Sequence, residues 1–271
     1  MKNIFYVLLT LLLLSSCEEV VDVDLDTAPP RLVVDATIKW EKGTIGNDQT
    51  IILTTTTPYF SNEIPVVSNA TVFITGPDGS VYDFIEFPDS GMYACSNFVP
   101  IINGDYELTV ITSGHTYTAQ ETLKPVPDIE EIVQNNEGGF TGEDIEIKIF
   151  YTDDGTTNDY YLSRFQPEYA AIPDFEVIED RFFQGNQIFS LFSEDDLEAG
   201  QTLDYQLSGI SQRYYNYMNI LISIAGSSGG SPFQSPPATV RGNIVNTTEA
   251  GNFALGYFSL SETVSQTIII E

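Results

Sequence analysis

Short runs that alternate apolar and polar residues recur along this chain, and they constrain its fold more than any other feature. In the run 104–111, Tyr106, Leu108 and Val110 are separated by polar residues. A period of two places such side chains on one face of a β-strand. Roughly seven runs of this kind, with turn residues between them, follow Arg31 within about ninety residues, a spacing typical of an immunoglobulin-like sandwich.

Two pairs of runs predict β-hairpins. The first pair flanks the turn 76–79, where Pro77 presets the turn and Gly79 accepts a positive φ. The second pair, 144–151 and 160–165, flanks an Asp-Asp-Gly sequence and predicts another hairpin. Three further runs predict strands at 175–183, 187–192 and 202–207.

The stretch 211–225 predicts a helix, with Ser211 as its N-cap and a Gly/Ser-rich sequence after its end. The apolar residues that recur on one face are Tyr214, Met218, Leu221 and Ala225. We expect this stripe to pack on the second sheet; a groove for a cofactor or a partner is the alternative.

Prolines at 125 and 127 mark a predicted domain boundary. The predicted fold is mainly β, an immunoglobulin-like β-sandwich followed by a second β-rich domain with one helix. The predicted segments are a lipoprotein signal peptide at 1–16, an acidic tether at 17–30, the sandwich at 31–124 and the second domain at 125–271.

The N-terminus predicts export and a lipid anchor. Lys2 precedes an apolar run that is shorter than the roughly 20 residues needed to cross a bilayer. Its ending, Leu-Ser-Ser-Cys, resembles the bacterial lipobox, in which the cysteine is acylated, so Cys17 would hold the protein on a membrane. Glu18 and Glu19 resemble the signal that sends Bacteroidetes lipoproteins to the outer face of the outer membrane. An ordinary secretory signal near a cysteine is the alternative.

Composition excludes several classes of protein. The formal charge of −29 repels phosphate backbones and anionic headgroups, which disfavours nucleic-acid binding and electrostatic docking on a membrane. A hydrophobic fraction of 42% excludes a wholly disordered chain. If Cys17 is acylated, Cys95 has no disulfide partner, and we expect it to be buried in a strand; a reactive thiol is the alternative.

The chain lacks the usual parts of a catalytic centre. His115 is its only histidine, which excludes both a Ser-His-Asp triad and a histidine-based metal centre, and we expect it in a solvated turn. We therefore predict no enzyme and no cofactor.

Two carboxylate chemistries stay open. A glycoside hydrolase needs one acidic pair, and the candidates are Glu194, Asp195, Asp196, Glu198 and Asp204. A structural calcium ion needs only oxygen ligands, and the candidates are Asp153, Asp154, Asn158 and Asp159. Aromatic residues that could stack on sugars, but for which core packing is the default, are Trp40, Tyr160, Tyr161, Tyr214, Tyr215 and Tyr217.

Five pieces of sequence, in this order and spacing, resemble the Bacteroidetes lipoprotein family called domain of unknown function 4249. The pieces are Gly-Asp-Tyr-Glu-Leu at 104–108, Thr-Tyr-Thr-Ala at 116–119, Pro-Phe then Pro-Pro at 232–237, Arg-Gly-Asn at 241–243 and Leu-Gly-Tyr-Phe at 255–258. The resemblance covers essentially the whole mature chain. It implies an outer-membrane lipoprotein, often encoded beside a TonB-dependent transporter, and it implies no reaction, ligand or site residue.

The segment before Arg241 contains one candidate contact for a partner. Rigid prolines flank Phe233, a good way to present an aromatic anchor at low entropic cost. The alternative is that this segment only shapes a long connection.

The expected function is that of an outer-membrane surface lipoprotein, a non-catalytic binding or accessory module beside a TonB-dependent nutrient transporter. The small molecule, peptide or glycan that it would bind is not specified by the sequence. The alternatives are a structural or adhesive surface protein and a carboxylate-based glycoside hydrolase.

Overall fold

The computed structural model describes residues 29–58, 61, 63–139, 142–226 and 240–271. The strands are β1 (Leu32–Glu41), β2 (Gln49–Thr55), β3 (Thr71–Thr75), β4 (Val81–Glu86), β5 (Met92–Cys95), β6 (Asp105–Thr112), β7 (His115–Thr122), β8 (Ile129–Gly138), β9 (Asp144–Thr152), β10 (Tyr160–Pro167), β11 (Asp174–Glu179), β12 (Gln187–Ser193), β13 (Thr202–Ile210), β14 (Val245–Asn246) and β15 (Leu255–Ile269). The helix is α1 (Gln212–Gly226), and a single 3-10 turn spans Asp180–Phe182. The predicted mainly β class is confirmed.

Twelve strands form one continuous hydrogen-bonded order, β11-β10-β13-β15-β1-β2-β5-β4-β3-β6-β7-β14. The inward side chains of β1, β2 and β5 share a first core with those of β3, β6 and β7. Tyr106, Leu108 and Val110 all belong to this core, as their spacing predicts. The predicted hairpin between β3 and β4 is also confirmed, and Gly79 N donates to Gly76 O across its turn at 3.0 Å.

The second core lies between the remaining sheet, β12-β9-β8, and the strands β10, β13 and the end of β15. The predicted hairpin of β9 and β10 is wrong, because β9 pairs with β8 and β12 while β10 pairs with β11 and β13. The link 153–159 instead carries the chain from one sheet to the facing one. As a result, the rings of Tyr151 and Tyr161 meet across the core at 5.4 Å.

Two other local features differ from the prediction. The predicted strand at 175–183 ends at Glu179, and the 3-10 turn follows from Asp180. Strand β8 was not predicted, because its sequence Ile-Glu-Glu-Ile-Val-Gln-Asn-Asn-Glu-Gly lacks a regular alternation. In the structure, its ladder with β9 contains register shifts.

Strand β15 belongs to both cores. Its first part runs parallel to β1, from Leu255 opposite Val33 to Thr263 opposite Glu41, and its last part runs antiparallel to β13. Phe258 consequently packs in the first core and Ile268 in the second. The predicted segment 125–271 would place the whole strand in the second domain, whereas the structure gives its first part to the first core. The boundary near residue 125 stays a prediction.

The proline-rich stretch between the two cores is held in place. Glu262 N donates to Lys124 O at 2.9 Å, and Val126 N donates to the Glu262 carboxylate at 3.0 Å. On the other side, a Cβ added at Gly209 would lie 1.8 Å from Pro125 O, so only glycine permits this approach of the two backbones. These contacts fasten 124–126 to β13 and β15.

Helix α1 begins as predicted, with Tyr214 N donating to the Ser211 hydroxyl at 3.2 Å. It packs on the outer face of the sheet formed by β10, β11 and β15, as expected for its apolar stripe. The stripe itself differs from the prediction. Tyr214, Met218 and Ile222 pack at intervals of four, while Leu221 is 38% exposed and Ala225 is also exposed. Among the described helices, none combines the length and hydropathy that a membrane crossing requires.

Candidate functional site

The junction of β7, α1 and β15 is organised around a buried carboxylate. Glu121, on β7, is only 7% exposed. One of its oxygens accepts the Thr122 N–H at 3.0 Å, and the other accepts the hydroxyls of Ser211 at 2.9 Å and Tyr257 at 3.2 Å. Burial raises the pKa of Glu121, and the three hydrogen bonds and the charge of Arg213 oppose this rise. Glu121 therefore joins the first core, the N-cap of α1 and the shared strand.

A cavity of about 740 Å³ opens beside Glu121. Its lining comes from the ends of β3, β6 and β7 and from the first turn of α1, including Arg213. Two other acids of the lining accept hydrogen bonds from neighbours on the sheet: Asp105 from Thr122 at 2.6 Å, and Glu107 from Gln120 at 2.8 Å. This first junction cavity is thus polar, with three acids to one base.

A second junction cavity, of about 350 Å³, lies on the other side of Arg213. It is lined by Arg213, Asn216, Tyr217, Ile220, Val240, Arg241, Gly242, Asn243 and Tyr257. The two cavities differ in charge, because this lining has two arginines and no acidic residue.

The sequence Arg-Gly-Asn at 241–243 builds one wall of the second cavity. A Cβ at Gly242 would lie 1.6 Å from Gly256 O, so the two chains meet backbone to backbone. The amide of Asn243 donates to Phe258 O at 2.8 Å and accepts from Phe258 N at 2.9 Å, replacing the missing partner of a β-ladder. Two of the pieces that carried the family resemblance are therefore neighbours in space, and they shape this wall.

Arg241 is held by stacking. Its guanidinium lies 4.0 Å from the centre of the Phe253 ring, and Arg31 lies 3.7 Å from the same centre. Stacking uses the face of a guanidinium and leaves its N–H edge available for other partners.

The calcium candidates are only partly brought together. Asp153 and Asp159 lie near Asp180, with one carboxylate oxygen of each within 4.8 Å of the others. Asp154 and Asn158 bond elsewhere, to Thr156 at 2.8 Å and to Gln184 at 3.5 Å.

Local donors occupy much of this acidic cluster. Asp153 accepts from the Tyr161 hydroxyl at 2.6 Å and from two backbone N–H groups, those of Gly155 and Gly185. Burial, followed by the charges of Asp153 and Asp180, raises the pKa of Asp159. One oxygen from each carboxylate supplies three of the six to eight oxygens that calcium takes. The hydrogen bonds from Gly155 and Gly185 to Asp153, and from Asp159 N to Asp180, join the segments around residues 153–159 and 180–185 without an ion. A structural calcium ion stays a hypothesis.

The hydrolase candidates lie away from both junction cavities. Burial, and then Asp174, raises the pKa of Glu194, and the Tyr169 hydroxyl donates to Glu194 at 2.9 Å. Asp204 instead accepts from Thr267 at 2.6 Å on the sheet surface, and none of the five candidates lines either junction cavity.

The remaining candidates are mostly structural. Cys95 is buried as expected, donates to Asn97 at 3.1 Å, and has a pKa raised by burial. His115 is partly buried, unlike the solvated residue that was expected, and its Nδ1 lies 4.0 Å from a Glu249 oxygen. Tyr161 and Tyr214 are buried, and Trp40 packs against the first core.

Four predicted site residues, Cys17, Glu18, Glu19 and Phe233, lie outside the described residues. Sequence reasoning missed Glu121 and Arg213. One signal was available for Arg213: the first turn of α1 holds no acidic residue, in a chain that has 39 of them.

Comparison with known proteins gives a family and a set of distant likenesses. A family model described as "Domain of unknown function (DUF4249)" matches residues 18–267. No curated protein matches the chain. Similar solved structures include a cytokine receptor complex, at 10% identity over 68% of this chain and 86% of the other, with a TM-score of 0.28.

Two further solved structures are similar, with comparably low sequence identity and TM-score. A segment of two fibronectin type-III domains from chicken tenascin is 16% identical over 67% of this chain and 90% of the other, with a TM-score of 0.21. A DUF4785 family protein from Legionella pneumophila is 12% identical over 66% of this chain and 51% of the other, with a TM-score of 0.26. At these TM-scores the likenesses say nothing about function.

Proposed function

Because the chain belongs to the DUF4249 family, whose description assigns no activity, we propose from its residues and from its resemblance to Bacteroidetes lipoproteins that it is a non-catalytic binding or accessory lipoprotein of the outer membrane. It would be anchored through Cys17, face the cell exterior, and work beside a TonB-dependent nutrient transporter. The lipobox-like ending at Cys17 and the acidic pair behind it support the anchor and the outward face. The resemblance to Bacteroidetes lipoproteins supports the transporter as a partner.

The observation that carries the binding role is the pair of junction cavities. They lie where β7, α1 and β15 meet, and their polar side chains can hold a ligand by hydrogen bonds and charge. Cavities of about 350 and 740 Å³ fall within the range of small-molecule sites. Strand β15, which contributes Tyr257 to this junction, is held in place because its two parts pair with β1 and with β13.

The anchor is tested by metabolic labelling with a palmitate analogue. The two cysteines of the chain give a matched pair of variants, Cys17→Ala and Cys95→Ala. We expect the label to be lost in the first and kept in the second. Equal labelling of both variants would refute a lipid anchor at Cys17.

The accessory role is tested by purifying the tagged lipoprotein from its native membrane in mild detergent, followed by mass spectrometry. A TonB-dependent channel recovered in stoichiometric amount, and lost in Cys17→Ala, is the expected result. Repeated recovery of the lipoprotein alone, with uptake unchanged when its gene is deleted, would favour the structural or adhesive alternative.

The outward face is tested by digesting intact cells with a protease. The natural protein should be cleaved, whereas the double variant Glu18→Ala, Glu19→Ala should be protected until the cells are lysed. Protection of the natural protein would place it on the inner face of the membrane.

A further inference from the structure

We propose that the second junction cavity binds the carboxylate of a small organic acid, with Arg213 and Arg241 as its charge partners. This proposal rests on the binding role proposed above and adds the chemical class of the ligand. The acid would have a ring or a short apolar body that packs against Tyr217 and Tyr257, which line the same cavity.

The first argument is the charge of the lining. The whole chain has 39 acidic and 10 basic residues. The second cavity reverses this ratio, since its lining includes two arginines and no acid. In a protein that repels anions overall, such a pocket is a place where the electrostatic energy of a negatively charged ligand is lower than elsewhere on the surface. The first junction cavity contains Asp105, Glu107 and Glu121, so an anion gains no such energy there.

The second argument is that both guanidinium groups are available. Among the residues that the structure describes, neither Arg213 nor Arg241 forms an ion pair. Stacking on Phe253 holds the face of Arg241 and leaves its N–H edge, which is the part that binds a carboxylate. Arg213 lies near Glu121, whose two oxygens already accept three hydrogen bonds.

The third argument concerns the walls of the cavity. The rings of Tyr217 and Tyr257 lie 4.8 Å apart, and Tyr257 is fixed by its hydroxyl bond to Glu121. The Asn243 amide is occupied by the backbone of Phe258. The exposed amide of Asn216, in contrast, can bond to polar groups of a ligand. Besides the two arginines, the walls thus offer the flat apolar surface of the tyrosine rings and one exposed side-chain amide, that of Asn216.

A carboxylate fits this setting better than a phosphate. Guanidinium groups bind both oxyanions. An organic carboxylate also brings an apolar body that can pack against Tyr217 and Tyr257, which inorganic phosphate lacks.

The test follows the five arginine side chains of the mature lipoprotein by NMR in mild detergent micelles. The probes are acetate, benzoate and D-glucuronate, each compared with its uncharged counterpart, acetamide, benzamide or D-glucose, and inorganic phosphate serves as a separate arm. We expect at least one carboxylate to shift the Nε–Hε signals of Arg213 and Arg241 saturably, with no shift from its counterpart. Phosphate should bind more weakly.

Variants separate this site from general attraction to positive charge. Arg213→Gln and Arg241→Gln should each weaken carboxylate binding about tenfold or more, with circular dichroism unchanged. Arg181→Gln is the control, because Arg181 is exposed and already paired with Glu179 at 2.9 Å. If one variant fails to fold, the other still decides.

The proposal is overturned if no carboxylate shifts the two signals, if all five arginines shift alike, or if phosphate binds more tightly. Its failure is distinguishable from failure of the accessory role. Carboxylate binding without a recovered channel would refute the partner alone, and a recovered channel without carboxylate binding would refute the ligand class alone.

Discussion

Buried hydroxyl groups have different hydrogen-bond partners in the two cores. In the first core, Tyr93 and Tyr106 each donate to one backbone oxygen and accept from one backbone N–H, at 2.8 to 3.0 Å. In the second core, the hydroxyls of Ser163, Ser190 and Tyr205 bond to one another at 2.6 to 3.0 Å. Buried tyrosines therefore fasten loops in the first core and form a side-chain network in the second.

The second core also contains polar atoms without a partner. Among the described residues, the Tyr151 hydroxyl and one Glu176 oxygen are buried with no hydrogen bond. An unsatisfied buried polar group costs about 1 to 3 kcal/mol. Two more such atoms, His115 Nδ1 and Ser259 Oγ, lie on β7 and on the part of β15 that pairs with β1, so the two cores differ in how their buried tyrosines are bonded.

The largest effect is expected where β15 crosses the first core. Gly256 has a φ of +89°, and a Cβ there would lie 2.0 Å from Val34 O. Gly256→Ala should therefore lower the free energy of unfolding by more than about 3 kcal/mol in urea titrations. Gly43→Ala is the control, since Gly43 has a φ of +84° but nothing within 4 Å, and should cost about 1 kcal/mol. Equal losses would mean that close backbone packing is unimportant at this crossing.

Removing one hydroxyl from the first core should have the next largest effect. Tyr106→Phe leaves both Val99 O and Ile101 N without their partner, so we expect a loss of about 1 to 3 kcal/mol. Urea unfolding measures this loss. A neutral substitution would show that the hydroxyl does not fasten this loop.

The same substitution should have smaller effects in the second core. After Tyr205→Phe, Ser163 and Ser190 keep their mutual bond of 2.6 Å, so the loss should be below about 1 kcal/mol. Tyr151→Phe removes a hydroxyl without a partner and should be neutral or stabilising. If Tyr151→Phe proves as costly as Tyr106→Phe, the contrast between the cores is wrong.

The smallest expected effect is a dependence on pH. Burial raises the pKa of Glu176 above its ordinary value of 4.5, so the folded protein binds this proton more tightly than the unfolded chain. The resulting stabilisation is complete below that value and is lost as the pH rises through the folded pKa. Glu176→Gln should therefore gain stability relative to the natural protein as the pH rises above 4.5.

The exposed Glu131, on β8, provides the control for this pH series. Glu131→Gln removes one carboxylate from an exposed position of a strand and shows what the loss of a surface charge alone does to the pH series. A Glu176→Gln difference that does not change with pH would contradict the burial of an ionisable group in the second core.

Local features of the fold could be predicted from the sequence, and long-range ones could not. The alternation around Tyr106, the turn at 76–79 and the Ser211 cap involve residues close in sequence, and all three are confirmed. The hairpin proposed around 153–155 failed because turn residues do not reveal whether the chain returns in the same sheet or crosses to the facing one.

The junction was hidden from the sequence for the same reason. Glu121 meets Ser211 and Tyr257 across 90 and 136 residues, and no periodicity reports such a contact. The Arg-Gly-Asn piece at 241–243 was visible as a motif, but its packing against Gly256 became clear only from the structure. Charge offered one further clue to the site, because arginines are scarce in a chain with 39 acidic and 10 basic residues.

The most direct test of the structural claim, that one strand closes both cores, is a urea titration followed by two signals. Trp40, the only tryptophan, packs against the first core and reports on it by fluorescence. Far-ultraviolet circular dichroism reports on the strands of both cores. Because β15 joins the two, we predict that both signals change in a single coincident transition. Two separate transitions, with the fluorescence change confined to one of them, would contradict the claim.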